Sequence, residues 1–176
     1  MGRRPFPLAA LARCAVDSSP GSVSGMPTTV NDLATFHELV GQHLGWSDYH
    51  EITQETVNLF ADATGDHQWI HVDPERAKTG PFGGPIAHGY LTLALAPVFL
   101  GEVLSVEGMS MGVNYGCNKV RFPSPVPVGS KLRLGASVAS VTDIDGGVQV
   151  ELDLALEVDG APKPSCVAQV VYRYYS

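Results

Sequence analysis

Two residue types that move protons sit five positions apart on one polar turn. They are Asp66 and His71, within Ala63-Thr64-Gly65-Asp66-His67-Gln68-Trp69-Ile70-His71-Val72-Asp73. At that spacing both side chains can face one water. A neutral imidazole with an ordinary pKa near ~6.5 suits a general base at neutral pH, and a carboxylate beside it offers a second seat for the proton. Spacing alone weighs this reading evenly against a plain turn aspartate after Gly65 and a satisfied core histidine. Further along, Gly83-Gly84-Pro85-Ile86-Ala87-His88-Gly89 leads into an apolar run. Gly89 falls in the first turn of the helix expected there. Its N–H lacks an intrahelical acceptor, and the partial positive charge of a helix N-terminus suits a developing oxyanion. Glycine also lets a ligand approach the backbone closely. His88 has three readings: it orients the loop, touches a substrate or caps the helix. His67 and His71 at i, i+4 with Asp73 nearby invite a metal reading. The segment is not expected to be helical and Asp73 is better explained as an N-cap, so the expectation is no metal.

These residues must be positioned by the elements around them. Thr53 can cap a helix with Glu55 in its first turn, and Val57, Phe60, Ala61 and Thr64 share one face of it. Gly65 ends that helix, and the chemistry-bearing loop follows at once. Asp73-Pro74-Glu75 reads as the start of a short helix running to about Lys78. From Ile86 to Val103 the apolar residues cover almost every side. The expectation is a long helix buried all round, inside a curved sheet, with a kink or break at Pro97. Ahead of these elements, Val30–Leu44 reads as an amphipathic helix and Trp46–Glu51 as a first strand. After Leu104 the signature turns to strands: 106–115, 117–122, 131–142, 147–158 and 165–174, with hairpin signals at Asp145-Gly146 and Asp159-Gly160. Antiparallel strands around one central helix make an α+β class.

Composition narrows the partners. The chain has 176 residues, 44% hydrophobic and 16% charged, which fits one globular domain over 26–176. Residues 1–25, with Arg3-Arg4 and a Ser/Gly/Pro-rich end, read as a disordered extension rather than a secretory signal, because Arg13, Pro5 and Pro7 interrupt the apolar run. Met26 is a candidate start. A formal charge of −7 and no basic stripe argue against nucleic acid. The stretch from Pro85 to Leu104 is too broken by His88, Pro97 and Glu102 to span a membrane. The three cysteines, Cys14, Cys117 and Cys166, have no metal-ligand spacing and point to a reducing, cytoplasmic setting.

The pattern Phe60-Ala61-x-x-Thr64-Gly65-Asp66-x-x-x-Ile70-His71-x-Asp73-x-x-x-Ala77, followed by Phe82-Gly83-x-x-Ile86-Ala87-His88-Gly89, resembles the MaoC-like dehydratases. That family includes the (R)-specific enoyl-CoA hydratases and the nodulation-protein-N-like proteins. The later run Asn114-Tyr115-Gly116-x-x-x-Val120-Arg121-Phe122-x-x-Pro125-Val126-x-x-Gly129 fits as well. The resemblance spans about Val30 to Ser176 and departs at Gln68-Trp69, where the hydratase signature commonly has Asn-Pro. It implies a hot-dog fold, a curved antiparallel sheet around a central helix, in a homodimer. It implies addition of water to a trans-2-enoyl-CoA to give an (R)-3-hydroxyacyl-CoA in fatty acid metabolism. Asp66 and His71 would be the catalytic pair, and the Gly89 N–H would hold the thioester carbonyl. No cofactor is implied beyond the coenzyme A of the substrate. Lys119 and Arg121, on one face of a strand, either meet the phosphates of coenzyme A or make an ordinary solvated face. Asn114 either lines the pocket or makes a turn. Trp69, Tyr90, Leu93 and Phe99 are candidates for setting pocket depth. The alternatives are a thioesterase on the same fold and a non-catalytic subunit that binds acyl thioesters.

Overall fold

The computed structural model describes residues 26–176. The readings of residues 1–25, of Cys14 and of a start at Met26 concern chain that lies outside the described residues or at their edge. The elements run β1 (Thr28–Val30), α1 (Leu33–Glu38), β2 (His43–Trp46), β3 (His50–Glu51), α2 (Gln54–Thr64), α3 (Trp69–Val72), α4 (Pro74–Ala77), α5 (Gly89–Ala94), α6 (Ala96–Leu100), β4 (Leu104–Val106), β5 (Met111–Arg121), β6 (Lys131–Ile144), β7 (Gly147–Val158) and β8 (Cys166–Tyr175). The architecture is α+β.

A six-stranded antiparallel sheet runs β2-β6-β7-β8-β5, with β3 also paired to β6. Its inner face follows from strict alternation along three strands. Leu132, Leu134, Ala136 and Val138 of β6, Val148, Val150, Leu152, Leu154 and Leu156 of β7, and Cys166, Ala168, Val170, Tyr172 and Tyr174 of β8 all point into the core. The opposite face carries polar cross-strand pairs: Arg133 Nε to Glu157 at 2.8 Å, Gln169 to Asp153 at 2.9 Å and Arg173 Nε to Gln149 at 3.0 Å. Against the inner face pack Leu91, Ala96, Phe99 and Leu100 of α5 and α6, Val57 of α2 and Phe36 of α1, whose ring stacks on Tyr174 at 4.9 Å.

Several expected elements change shape. The long helix buried all round is instead two short ones, with Pro97 in the first turn of α6. A proline there needs no N–H partner, so it begins a helix more easily than it continues one. Nor is that segment buried on every side, since Tyr90 is 74% exposed and Val98 65%. One chain's sheet covers one face of α5 and α6 and leaves the other open. The expected helix over 30–44 shrinks to α1, because Val30 pairs in β1 and His43 in β2. The expected first strand over 46–51 divides into β2, ending at Trp46, and the two-residue β3. Of the strands expected over 106–115 and 117–122, Val106 belongs to β4 and the rest from Met111 to Arg121 is one strand, β5, whose pairing with β8 slips between Asn114 and Gly116 and again between Cys117 and Lys119. Such bulges bend a strand without ending it. A parallel pair, β1 with β4, has no counterpart in the sequence reading. No helix among the described residues is long and apolar enough to cross a membrane.

Candidate active site

The site is built where α2 ends. Thr53 caps α2, its hydroxyl accepting from Thr56 N–H at 3.1 Å, and Val57 and Ala61 anchor it in the core. At its other end Gly65 turns the chain with φ 79°, a left-handed conformation that any side chain would strain. That turn throws Asp66 to the surface. The chain then closes the single helical turn α3, which buries His71 at 6% exposure. Asp73 caps α4, accepting from Arg76 N–H at 3.0 Å, with Pro74 beginning that helix.

A second segment crosses over the first. Ile86 N–H donates to the Ile70 carbonyl at 3.0 Å, Ala87 N–H to Val126 at 2.8 Å and Val128 N–H to Pro85 at 2.9 Å. His71 Nδ1 lies 2.7 Å from the Ile86 carbonyl. A carbonyl can only accept, so Nδ1 carries the hydrogen and Nε2 presents its lone pair when the ring is neutral. His88 is 3% exposed and stands at the N-cap position of α5, but its side chain makes no capping hydrogen bond. Its Nε2 donates to the backbone carbonyl of Asp66 at 2.9 Å, while its Nδ1 is buried without a hydrogen-bond partner. Of the three readings of His88, the geometry favours orientation of the loop. The two imidazoles stack at 3.8 Å between centroids, and the Phe60 ring lies 5.1 Å from His88.

The Asp66 carboxylate, a ring nitrogen of His71 and one of His88 all lie within 4.8 Å of one another. These three are the donor set that a cation would meet here. The rings are nearly parallel, at 26°. An imidazole lone pair lies in the ring plane, so two stacked rings aim theirs side by side instead of at one point. The His67–His71–Asp73 set weighed from spacing is dispersed: His67 Nε2 pairs with Asp62 at 2.8 Å and Asp73 caps α4. Burial, opposed in part by the Ile86 carbonyl, holds the His71 pKa below the usual imidazole value, and the neighbouring His88 adds to the lowering. The ring is thereby kept neutral and available as a base.

Two cavities lie near these residues, and of Asp66, His71 and His88 only His71 lines one of them. One, of about 340 Å³, is lined by His71, Gly89, Thr92, Phe122, Val126 and Ser165 among others. Gly89 opens α5, so its N–H is without an intrahelical partner. A Cβ at Gly89 would stand 3.1 Å from the Phe122 ring, which makes glycine here a matter of space. The other cavity, of about 350 Å³, is mostly apolar and is lined by Phe60, Tyr90, Leu93, Asn114, Cys117 and Tyr172 among others. Asn114 therefore faces a pocket, but not the one that holds His71. Tyr90 and Phe122 meet edge to face at 6.2 Å between the two cavities. Lys119 and Arg121 are exposed near the end of β5, and Arg121 Nη1 donates to the neighbouring Val120 carbonyl at 2.7 Å. Of the residues expected to set pocket depth, Tyr90 and Leu93 line the apolar cavity, while Phe99 is buried against His50 at 4.7 Å and Trp69 packs elsewhere. Gln54 opens α2. Its Nε2 donates to the His71 carbonyl at 2.8 Å, a contact across 17 positions that no local pattern announces.

A family model for the MaoC like domain matches residues 19–159. The chain belongs to the MaoC-like dehydratase family. Among MaoC-like relatives, it is 53% identical over 147 residues to a protein of Mycobacterium tuberculosis named 3-hydroxyacyl-thioester dehydratase Z, covering 83% of this chain and 97% of that one. It is 43% identical over 140 residues to Nodulation protein N of Rhizobium leguminosarum, covering 77% and 86%. Of solved MaoC-like structures, the R-hydratase PhaJ1 from Pseudomonas aeruginosa in the unliganded form superposes with a TM-score of 0.61 at 25% identity, over 78% of this chain and 82% of that one. The sheet and helices are those of the hot-dog fold, and the protein is a dehydratase of that family.

Proposed function

We propose that this dehydratase interconverts a trans-2-enoyl-CoA and an (R)-3-hydroxyacyl-CoA in fatty acid metabolism, with Asp66 and His71 as the catalytic pair and no metal or other cofactor. The observation that carries the reading is the His71 ring, fixed by the Ile86 carbonyl so that Nε2 is its free base, with the Asp66 carboxylate within reach. In the hydration direction a water lies between them. His71 Nε2 takes a proton from it as its oxygen bonds to C3. The electron pair of the C2–C3 double bond moves toward the thioester oxygen, where the Gly89 N–H stabilises the developing enolate. A proton then returns to C2 on the same face, and Asp66 shares in that transfer. Water is added in full, and no electron donor or acceptor is consumed. Dehydration runs the same steps backward. The apolar cavity behind Tyr90 suits an acyl chain, and the name of the mycobacterial relative points to the same chemical class.

The functional unit in this reading is a homodimer in the cytoplasm. Support comes from β5, an eleven-residue edge strand with Met111 and Tyr115 exposed on it and Tyr90 and Val98 exposed beside it. A long edge strand next to an apolar patch offers unpaired backbone groups and apolar surface to a second copy. In this reading Lys119 and Arg121, exposed at the end of that strand, meet the phosphates of coenzyme A. The decisive experiment is turnover of a short trans-2-enoyl-CoA by wild type, Asp66→Asn and His71→Ala. Product from wild type with loss in both variants is the expected result. Full rate in both variants would remove the pair from the mechanism.

A further inference from the structure

The departure at Gln68-Trp69 turns out to have a structural partner. Trp69 begins α3 and stands two positions before His71. At 3.6 residues per turn, residues two apart point to roughly opposite sides of a helical turn, so the indole leaves the site as the imidazole enters it. On that outer side the Arg76 guanidinium lies over the indole, 4.5 Å from the ring centroid. Gly80 lies against the ring as well. A Cβ there would come within 2.9 Å of two indole carbons, closer than real side chains approach. Gly80 is not among the glycines with positive φ, so its backbone conformation does not demand glycine; the indole is the nearest obstacle to a Cβ there, with the Ala77 carbonyl next at 3.2 Å. Trp69 also accepts from Asp73 N–H at 3.1 Å, which joins the end of α3 to the cap of α4. The ring thus spans α3, α4 and the turn after α4.

We infer that Trp69 is a positioning residue for His71: its indole, clamped between Arg76 and Gly80, sets the angle of α3 against α4 and with it the placement of the His71 ring. This rests on the hydratase reading of the site. Trp69 lines neither cavity, and it acts through the backbone of α3. The Ile86 and Gln54 hydrogen bonds hold His71 from the site side, and Trp69 holds the same turn from the other. Loosening the clamp lets water reach the His71 ring, whose other titratable neighbours are Asp66 and His88.

The test uses Trp69→Ala, Gly80→Ala and the double variant in the full chain. Melting temperature, kcat and KM on a short trans-2-enoyl-CoA, and the NMR titration of the His71 imidazole are measured for each. In both single variants kcat is expected to fall about a hundredfold, as displacements near 1 Å do, with KM nearly unchanged. The His71 midpoint should rise toward the ordinary value near ~6.5. Removing the indole relieves the collision, so the double variant should regain melting temperature over Gly80→Ala but not kcat. Wild-type kcat and an unchanged His71 midpoint, in variants whose melting temperature shows the clamp disturbed, would overturn the inference. If wild type gives no hydration product, the hydratase reading fails instead, and the His71 titration alone still decides the role of Trp69.

Discussion

His71 is 6% exposed while Asp66 stands at the surface, and that difference divides their work. The buried ring is held neutral by its surroundings and fixed by one carbonyl. The carboxylate stands open to solvent. If the two act as a unit, removing either should cost several powers of ten in kcat, and removing both little more than removing one; a steady-state comparison of Asp66→Asn, His71→Ala and the double variant reads this directly. Because burial lowers the His71 pKa, the acid limb of a kcat/KM profile should lie below ~6.5, with activity lost as pH falls through that lowered value. Stability follows the same sign. The folded state binds the proton less readily than the unfolded one, so the His71 contribution is present above ~6.5 and declines as pH falls toward and through the folded value. His88→Phe keeps an aromatic ring against His71 but removes the donor to the Asp66 carbonyl. It should lower kcat while leaving the fold intact, checked by circular dichroism alongside turnover.

At the scale of elements, α5 begins at Gly89 beneath the Phe122 ring. Gly89→Ala should push that ring aside and narrow the approach to the helix N-terminus, raising KM and lowering kcat together with little loss of melting temperature. The starts and stops of the short elements around the site were legible because each is a local event. Thr53, Gly65 and Asp73-Pro74 act within a few residues, and all three do what their types suggest. The hairpin turns at Gly146 and Gly160, with φ of 71° and 70°, were legible for the same reason. The break between α5 and α6 was legible at Pro97, but local pattern could not show the exposure of Tyr90 and Val98, since apolar content does not say which face a sheet will cover. Nor could it show the pairing of Thr28 with Leu104, which depends on chain far away. At the site the candidate acid and base were named from type and spacing joined to the family pattern. The roles of Gln54, and of His88 as a donor to Asp66, depend on contacts between segments far apart in sequence.

For the whole molecule, the open edge of β5 and the apolar residues beside it argue for assembly. Sedimentation equilibrium should give twice the 18.7 kDa of one chain. Val98→Asp, which places a charge on the exposed face of α6, should shift that mass toward one chain without unfolding it. The core under the sheet sets the stability of each protomer. Leu152 is fully buried in β7, and Leu152→Ala should cost about 2–5 kcal/mol, read as a lowered denaturation midpoint.

The crossing at residues 85–88 carries a consequence for motion. Ile86 and Ala87 form no part of a helix or a named strand, yet their amides are held by the Ile70 and Val126 carbonyls, and the Val128 amide by Pro85. The segment is thus laced on both sides, and Ile86 and Ala87 are buried. Amide hydrogen exchange there should be as slow as in the central strands, since opening one bond exposes little unless its neighbours open too. A loop with the kinetics of a sheet keeps the His71 acceptor still, so access to the site has to come from side chains at its rim, Tyr90 and Phe122, and not from the backbone that carries the chemistry.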